Sequence, residues 1–237
     1  MKIGYGIITL NQFEWVVDKH LPSVDLSLVD LVHVHVSEGE STRYHQEVVG
    51  SNWVDLVAAK VPAEKLIMSD SVGNLGVAPG WNKLCKLAFD RGCDAIVIAN
   101  DDIILDPPTL PSTVLSLQHA DFVACPGQNM FSFFGITRKL YEAVGEFDEN
   151  FWPAYYEDND YDYRMKLAGF SRYTLAESGF FHQGSATLKN YTEQQMNAHH
   201  HNFGKNRAYY ASKWGGLPHY EAFQTPFNIP LDKGSSL

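Results

Sequence analysis

The run DAIVIAN, residues 94–100, constrains the fold more than any other part of the chain. Residues 95–99 are continuously apolar, with no position that prefers water. A strand of that kind is buried on both faces, as in a parallel sheet covered by helices on each side. Strand-like and helix-like segments alternate around it. Residues 2–10 read as a first strand. Residues 31–36, alternating Leu, Val and His, read as a second, residues 66–69 as a short third, and residues 122–125 as another. Between them, residues 13–20 read as a helix stopped near Pro22. Residues 79–91 place Trp81, Leu84, Cys85 and Ala88 on one helical face, with Gly92 as the stop, and residues 111–118 form another helix candidate. This pattern predicts an α/β fold, a mostly parallel central sheet with helices on both faces. Ligands of such sheets lie beyond the carboxyl ends of the strands. Residues 9–11, 37–40 and 100–102 are therefore the expected site.

The 237 residues suit one large α/β domain or two small ones. The formal net charge of −10 argues against broad binding of nucleic acid, which needs a surplus of Lys and Arg. The cysteines, Cys85, Cys93 and Cys125, are odd in number and lack metal or redox spacing, so a reduced, cytoplasmic protein is expected. The opening MKIGYGIITLNQFEW does not read as a signal peptide. Runs of about 18 apolar residues are missing, so no membrane span is expected.

Four groups of residues could carry chemistry. Asn100, Asp101 and Asp102 follow the apolar run directly, and carboxylates at a strand end are hard oxygen ligands suited to Mg²⁺ or Mn²⁺. The same two residue types, Asn and Asp, also make ordinary turns. In YYEDNDYDYR, residues 155–164, four acids (Glu157, Asp158, Asp160 and Asp162) fall within six positions. Crowded carboxylates raise one another's pKa, which suits one of them to accept a proton, although acids also favour a helix N-terminus. Arg164 is expected to pair with these acids. His182 stands alone in GFFHQGSAT, and a lone histidine is more often structural than a ligand. His199, His200 and His201 have no second spaced cluster, and residues 190–204 read as a mobile polar segment. In NLGVAPGWN, Asn74, Gly76, Gly80 and Asn82 precede or open a helix, like a phosphate cradle but without its usual lysine.

Taken in order, these motifs resemble the family 2 type of GT-A glycosyltransferases over residues 3–185, with a looser match to about Gly216. Thr9, Leu10 and Asn11 stand where that family turns near the nucleobase. Asn74, Gly76, Gly80 and Asn82 match its N-x-G-x-x-x-G-x-N stretch, and Asn100, Asp101 and Asp102 its "DxD" position. Residues 134–151 are similar to its segment ending "vGgfDe.f", and EDNDYDYRMKLAG to its E-D-x-D-x-x-x-R-x-x-x-x-G. His182 falls where many members have a third metal ligand, and KWGG, residues 213–216, resembles a late KWG. The chain departs from the family after the second strand, where an Asp usually contacts uridine. Here Ser37 or Glu38 must serve. The first strand's turn also lacks the basic residue often found after its Asn.

The resemblance implies a single GT-A catalytic domain over residues 1–216. Residues 1–125 would be its nucleotide-sugar half, 126–216 its acceptor half, and 217–237 an extension or loose tail. It implies an inverting transfer from a nucleoside diphosphate sugar to a hydroxyl acceptor such as a glycan. Mn²⁺ or Mg²⁺ would be held by Asp102 and His182. Asp158 would deprotonate the acceptor, with Glu157 as substitute. Thr9, Asn11, Glu38, Asn74, Gly76, Asn82, Asn100 and Asp101 would face the donor. Three other readings compete. A sugar nucleotidyltransferase would carry basic residues after its first strand, and GIITLNQFE has none. A non-catalytic binding protein would have no need of both acid pairs. A base in DNA as acceptor sits poorly with the −10 charge.

Overall fold

The computed structural model describes residues 1–10, 12–38, 53–127, 130–176, 178–184 and 191–230. β1 (Ile3–Thr9) passes through α1 (Phe13–Trp15) and a wide π turn over Val16–His20 to β2 (Leu31–Glu38). There follow α2 (Trp53–Ala58), β3 (Leu66–Val72), α3 (Val77–Asp90), β4 (Ala95–Asn100) and β5 (Ile103–Leu105). Next come α4 (Thr109–Ser116), β6 (Phe122–Ala124), β7 (Phe133–Thr137), α5 (Arg138–Val144) and α6 (Glu157–Leu167). β8 (Arg172–Thr174), β9 (Phe180–His182) and the long α7 (Glu193–Trp214) complete it.

Seven strands form one sheet in the order β3-β2-β1-β4-β7-β6-β8. The first four are parallel, β7 runs against both β4 and β6, and β8 is parallel to β6. As its composition predicts, β4 is buried on both faces. Val97 and Ala99 join the core that holds Tyr5, Ile7 and Val34, while Ile96 and Ile98 face α3 and the Phe122–Phe134 cluster. α3 lies close to β1 because Gly6 has no side chain. A Cβ there would come within 2.9 Å of the Leu84 side chain.

The helices begin two residues earlier than the positions of Pro79 and Pro111 suggest. Each proline occupies the third helical position, where its missing N–H has no intrahelical partner to lose. β7, unanticipated from the sequence, is wholly buried. Residues 190–204 are a correction: Glu193–Trp214 is a continuous helix of 22 residues. A capping box starts it, with Thr192 accepting from Gln195 N and Gln195 reaching back to Thr192 N. Asn206, Tyr210, Lys213 and Trp214, spaced i, i+4, i+7 and i+8, bury its far end. Residues 217–230 fold back on that end, Ala222 N and Phe223 N both donating to Trp214 O.

His33 and His35 are fully buried and share the Ser69 hydroxyl at 2.7 and 2.8 Å, and His35 also reaches Ser71 at 3.2 Å. Burial pushes His33 down to about 3 and His35 to about 4. Both therefore fold neutral but unfold into forms that protonate below about 6.5. Their contribution to stability is complete above that pH and is lost as pH falls toward 4 and 3. Each costs on the order of 1 kcal/mol per pH unit in that window. Urea melts of wild type and His33→Gln between pH 6.5 and 4 are expected to show a shallower decline in the variant. Equal slopes would contradict neutral burial of His33.

Candidate active site

One cavity of about 410 Å³ opens at the carboxyl ends of β1, β2 and β4. Thr9, Ser37, Asn100, Asp101 and Asp102 line it from the sheet, and Glu157 and Asp158 from the start of α6. His182, Gly76 and the rings of Trp81, Phe131, Tyr155, Tyr191 and His199 complete most of the wall. The expected strand ends thus meet the acidic cluster and His182 in one place.

The two aspartates have different surroundings. Asp101 is enclosed, and its carboxyl accepts from the Thr9 hydroxyl and the Leu10 backbone. Burial pushes it up to about 7, with the Asp102 charge adding to the effect and the hydrogen bonds opposing it. Asp102, 8% exposed, turns to His182, whose Nε2 lies 3.1 Å from Asp102 Oδ1. The small antiparallel pair β5–β9 sets this contact. Ile103 is opposite His182, and Gln183 N donates to Asp102 O at 2.9 Å. Asn100 donates from Nδ2 to Ser132 Oγ at 3.2 Å, joining β4 to the turn Met130–Ser132.

The acidic cluster divides in two. Asp160 and Asp162 are structural: Asp160 holds Arg164 Nε at 2.8 Å, and Asp162 meets Arg172 at 3.2 Å. Arg164 thus pairs internally, as expected. Glu157 and Asp158 face the cavity. Burial, then the Asp158 charge, raises Glu157 well above the ordinary carboxylate range, and its Oε2 has no hydrogen-bond partner among the described residues. Burial also raises Asp158, against hydrogen bonds that include Asn159 N donating to its Oδ1 at 2.8 Å. The upward shift favours the protonated form of Glu157 more than that of Asp158, whose place at the α6 N-terminus favours its charge. The Trp81 Nε1 is another buried polar atom with no hydrogen-bond partner among the described residues, on a side chain that lines the cavity. Orphans facing a cavity are satisfied when a polar ligand enters.

Other expected donor contacts fare differently. Gly76 lines the cavity at φ 92, and a Cβ there would lie 2.7 Å from the Trp152 ring. Asn74 also lines it, its Oδ1 accepting from Gly76 N at 2.9 Å. Asn82 is a correction. Its amide is taken up by Phe147 N, Phe147 O and Glu149 Oε1, so it ties α3 to the segment before α6 and is not part of the cavity wall. Asn11 and the Glu38 side chain lie outside the described residues; Ser37 is buried at the cavity's edge. Sequence reasoning passed over Trp81, Tyr155 and Tyr191 as cavity residues. Only Tyr155, beside the acidic pair, carried a signal.

A metal site was expected from Asp102 and His182. No group of three or more metal-ligating side chains occurs among the described residues. The pair nonetheless suits a cation that takes most of its ligands from a bound diphosphate and water, as Mg²⁺ commonly does. No Lys or Arg lies among the described lining residues. An anionic ligand here needs a cation from elsewhere.

The arrangement defines the fold class. The chain has the GT-A type of glycosyltransferase fold, and its similarity to solved structures bears this out. Residues 1–349 of S. aureus TarS in complex with UDP-GlcNAc superpose with a TM-score of 0.58 at 13% identity, over 89% of this chain and 66% of that one. The complex of the same protein with UDP gives 0.55 at 15% identity, over 76% and 59%. In sequence, 111 residues, 46% of the chain, are 32% identical to a galactofuranosyl glycosyltransferase of Leishmania donovani. The match covers 23% of that relative's length. No protein-family model matches the chain. No helix among the described residues is long and apolar enough to cross a membrane.

Proposed function

We propose that this chain is a metal-dependent, inverting glycosyltransferase that moves a sugar from a nucleoside diphosphate sugar to an acceptor hydroxyl. The observation that carries the reading is one cavity with Asp102 paired to His182 on one wall and the Glu157–Asp158 pair on another. The order of motifs supports a family 2 type, and the UDP and UDP-GlcNAc complexes of TarS support a uridine diphosphate donor. The galactofuranosyl relative makes UDP-galactofuranose the other donor to try.

In this reading Asp158 takes the proton from the acceptor hydroxyl, whose oxygen attacks the anomeric carbon as the bond to the diphosphate breaks. Glu157, protonated, donates a hydrogen bond to a substrate hydroxyl and keeps a second negative charge out of the site. Thr9 and Leu10 hold Asp101 toward the donor. Asp102 and His182 would hold Mn²⁺ or Mg²⁺, which would supply positive charge to offset that of the leaving diphosphate.

Isothermal titration of UDP into the protein tests the donor end. With Mn²⁺ present, binding is expected, and it should weaken at least tenfold in excess chelator or in Asp102→Ala. UDP affinity indifferent to both treatments would remove Asp102 and the metal from the account.

A further inference from the structure

We propose that Tyr155, Tyr191 and His199 form the acceptor subsite, and that it takes an uncharged saccharide ring. This rests on the glycosyltransferase reading and deepens it. The three side chains line the cavity that Glu157 and Asp158 also line. Their rings are in contact: Tyr155 and His199 have centroids 5.4 Å apart at 76°, and Tyr191 and His199 6.3 Å apart at 74°. Tyr155 remains 40% exposed, so the wall is not sealed by its own packing.

The backbone that presents Tyr155 is under strain. Tyr155 and Tyr156 are consecutive non-glycine residues in the left-handed region, at φ 76 and 75. Such conformations are unfavourable for L-residues, and they persist only where the surroundings hold them. Hydrogen bonds from two residues help to hold this turn. Asn206 of α7, 2% exposed, donates from Nδ2 to Ala154 O at 2.8 Å and Tyr155 O at 3.2 Å. Val77 N at the start of α3 donates to Pro153 O at 2.8 Å. A buried amide spent on two carbonyls of a strained turn fixes where Tyr155 stands relative to Glu157, two residues later.

The chemistry of this wall selects the ligand. A pyranose or furanose ring offers a face of C–H groups to an aromatic plane and a rim of hydroxyls to polar groups. Tyr155 and Tyr191 supply rings with phenolic hydroxyls. Burial and the neighbouring His200 lower His199 below its ordinary value, so its neutral ring can both donate to and accept from hydroxyls. No described residue of the cavity wall is a Lys or Arg, and its acids repel a phosphorylated or nucleic-acid acceptor.

The test is saturation-transfer NMR with the methyl glycosides of glucose, galactose and mannose, and with glucose 6-phosphate, in the presence of UDP and Mg²⁺. At least one neutral glycoside is expected to bind, with affinity reduced tenfold or more in Tyr155→Ala and in His199→Ala. The surface variant Tyr173→Ala should bind as wild type does. UDP binding by the Tyr155 and His199 variants shows that they are folded. Binding of none of the neutral glycosides, unchanged affinity in both cavity variants, or tighter binding of glucose 6-phosphate would overturn the proposal. Wild-type protein that binds glycosides through these rings but no UDP would leave the subsite standing and remove the transferase reading.

Discussion

Asp158→Asn is expected to bind UDP with its metal and to lose roughly a hundred- to ten-thousandfold in transfer rate, the contribution of a well-placed general base. The expectation rests on the contrast between two adjacent carboxylates. Both line the cavity, and burial raises both. Asp158 accepts from backbone amides, among them Asn159 N at 2.8 Å, which favour its charged form, whereas burial and then the Asp158 charge outweigh the one backbone hydrogen bond of Glu157. Glu157 is 5% exposed, and its Oε2 has no hydrogen-bond partner among the described residues, a setting that favours the protonated form. Glu157→Gln, which keeps a hydrogen-bond donor, should therefore lose much less than Asp158→Asn. The base must be deprotonated to act. Thus kcat/KM should rise with pH through a value above the usual aspartate range, and this limb should vanish in Asp158→Asn. Transfer by Asp158→Asn at the wild-type rate would transfer the role to another group.

The second large effect concerns stability. Asp160 is fully buried between three donors, with Arg164 Nε at 2.8 Å, Lys213 Nζ at 2.6 Å and Trp214 Nε1 at 2.8 Å. Lys213 also meets Asp148 at 2.7 Å, so the KWGG stretch at the end of α7 is tied to both α6 and the loop before it. Removing one partner of a buried ion pair leaves charge without compensation and costs about 3–5 kcal/mol. For a chain of this size, that lowers Tm by on the order of 10 °C. Asp160→Ala should show that drop in calorimetry, and Asp160→Asn, which still accepts from Trp214, a smaller one. A change of less than about 2 °C in Asp160→Ala would mean that the network is not what joins the helices.

What the sequence made legible follows from how local each signal is. DAIVIAN announces a strand buried on both faces without any partner in view, and the carboxylates after it announce the site. The Glu157–Asp158 pair is legible because both acids sit in one helical turn. His182 is different. Its place beside Asp102 depends on a three-residue ladder between segments almost eighty residues apart, so only the resemblance of the whole motif order pointed to it. β7 went unseen because FFGIT is apolar without alternation and sits inside an aromatic run. α7 went unseen because its exposed, histidine-rich first half has no apolar stripe, and its burial is confined to the last turns. Asn82 misled for a related reason. An asparagine near a glycine-rich turn looks like a ligand group, whereas its partners, Phe147 and Glu149, lie in a segment with no visible link to it in the sequence.

The direct measurement of sugar transfer at this cavity is to incubate the protein and Mn²⁺ with UDP-GlcNAc or UDP-galactofuranose and a neutral glycoside, and to follow UDP and product together. Quenched samples stripped of metal give the product's anomeric configuration by NMR. UDP and glycosylated product are expected in equal amounts, with the configuration inverted and formation abolished by chelator. A retained configuration would contradict the single displacement at Asp158. No UDP release from either donor, by a protein that binds UDP, would contradict the transferase itself.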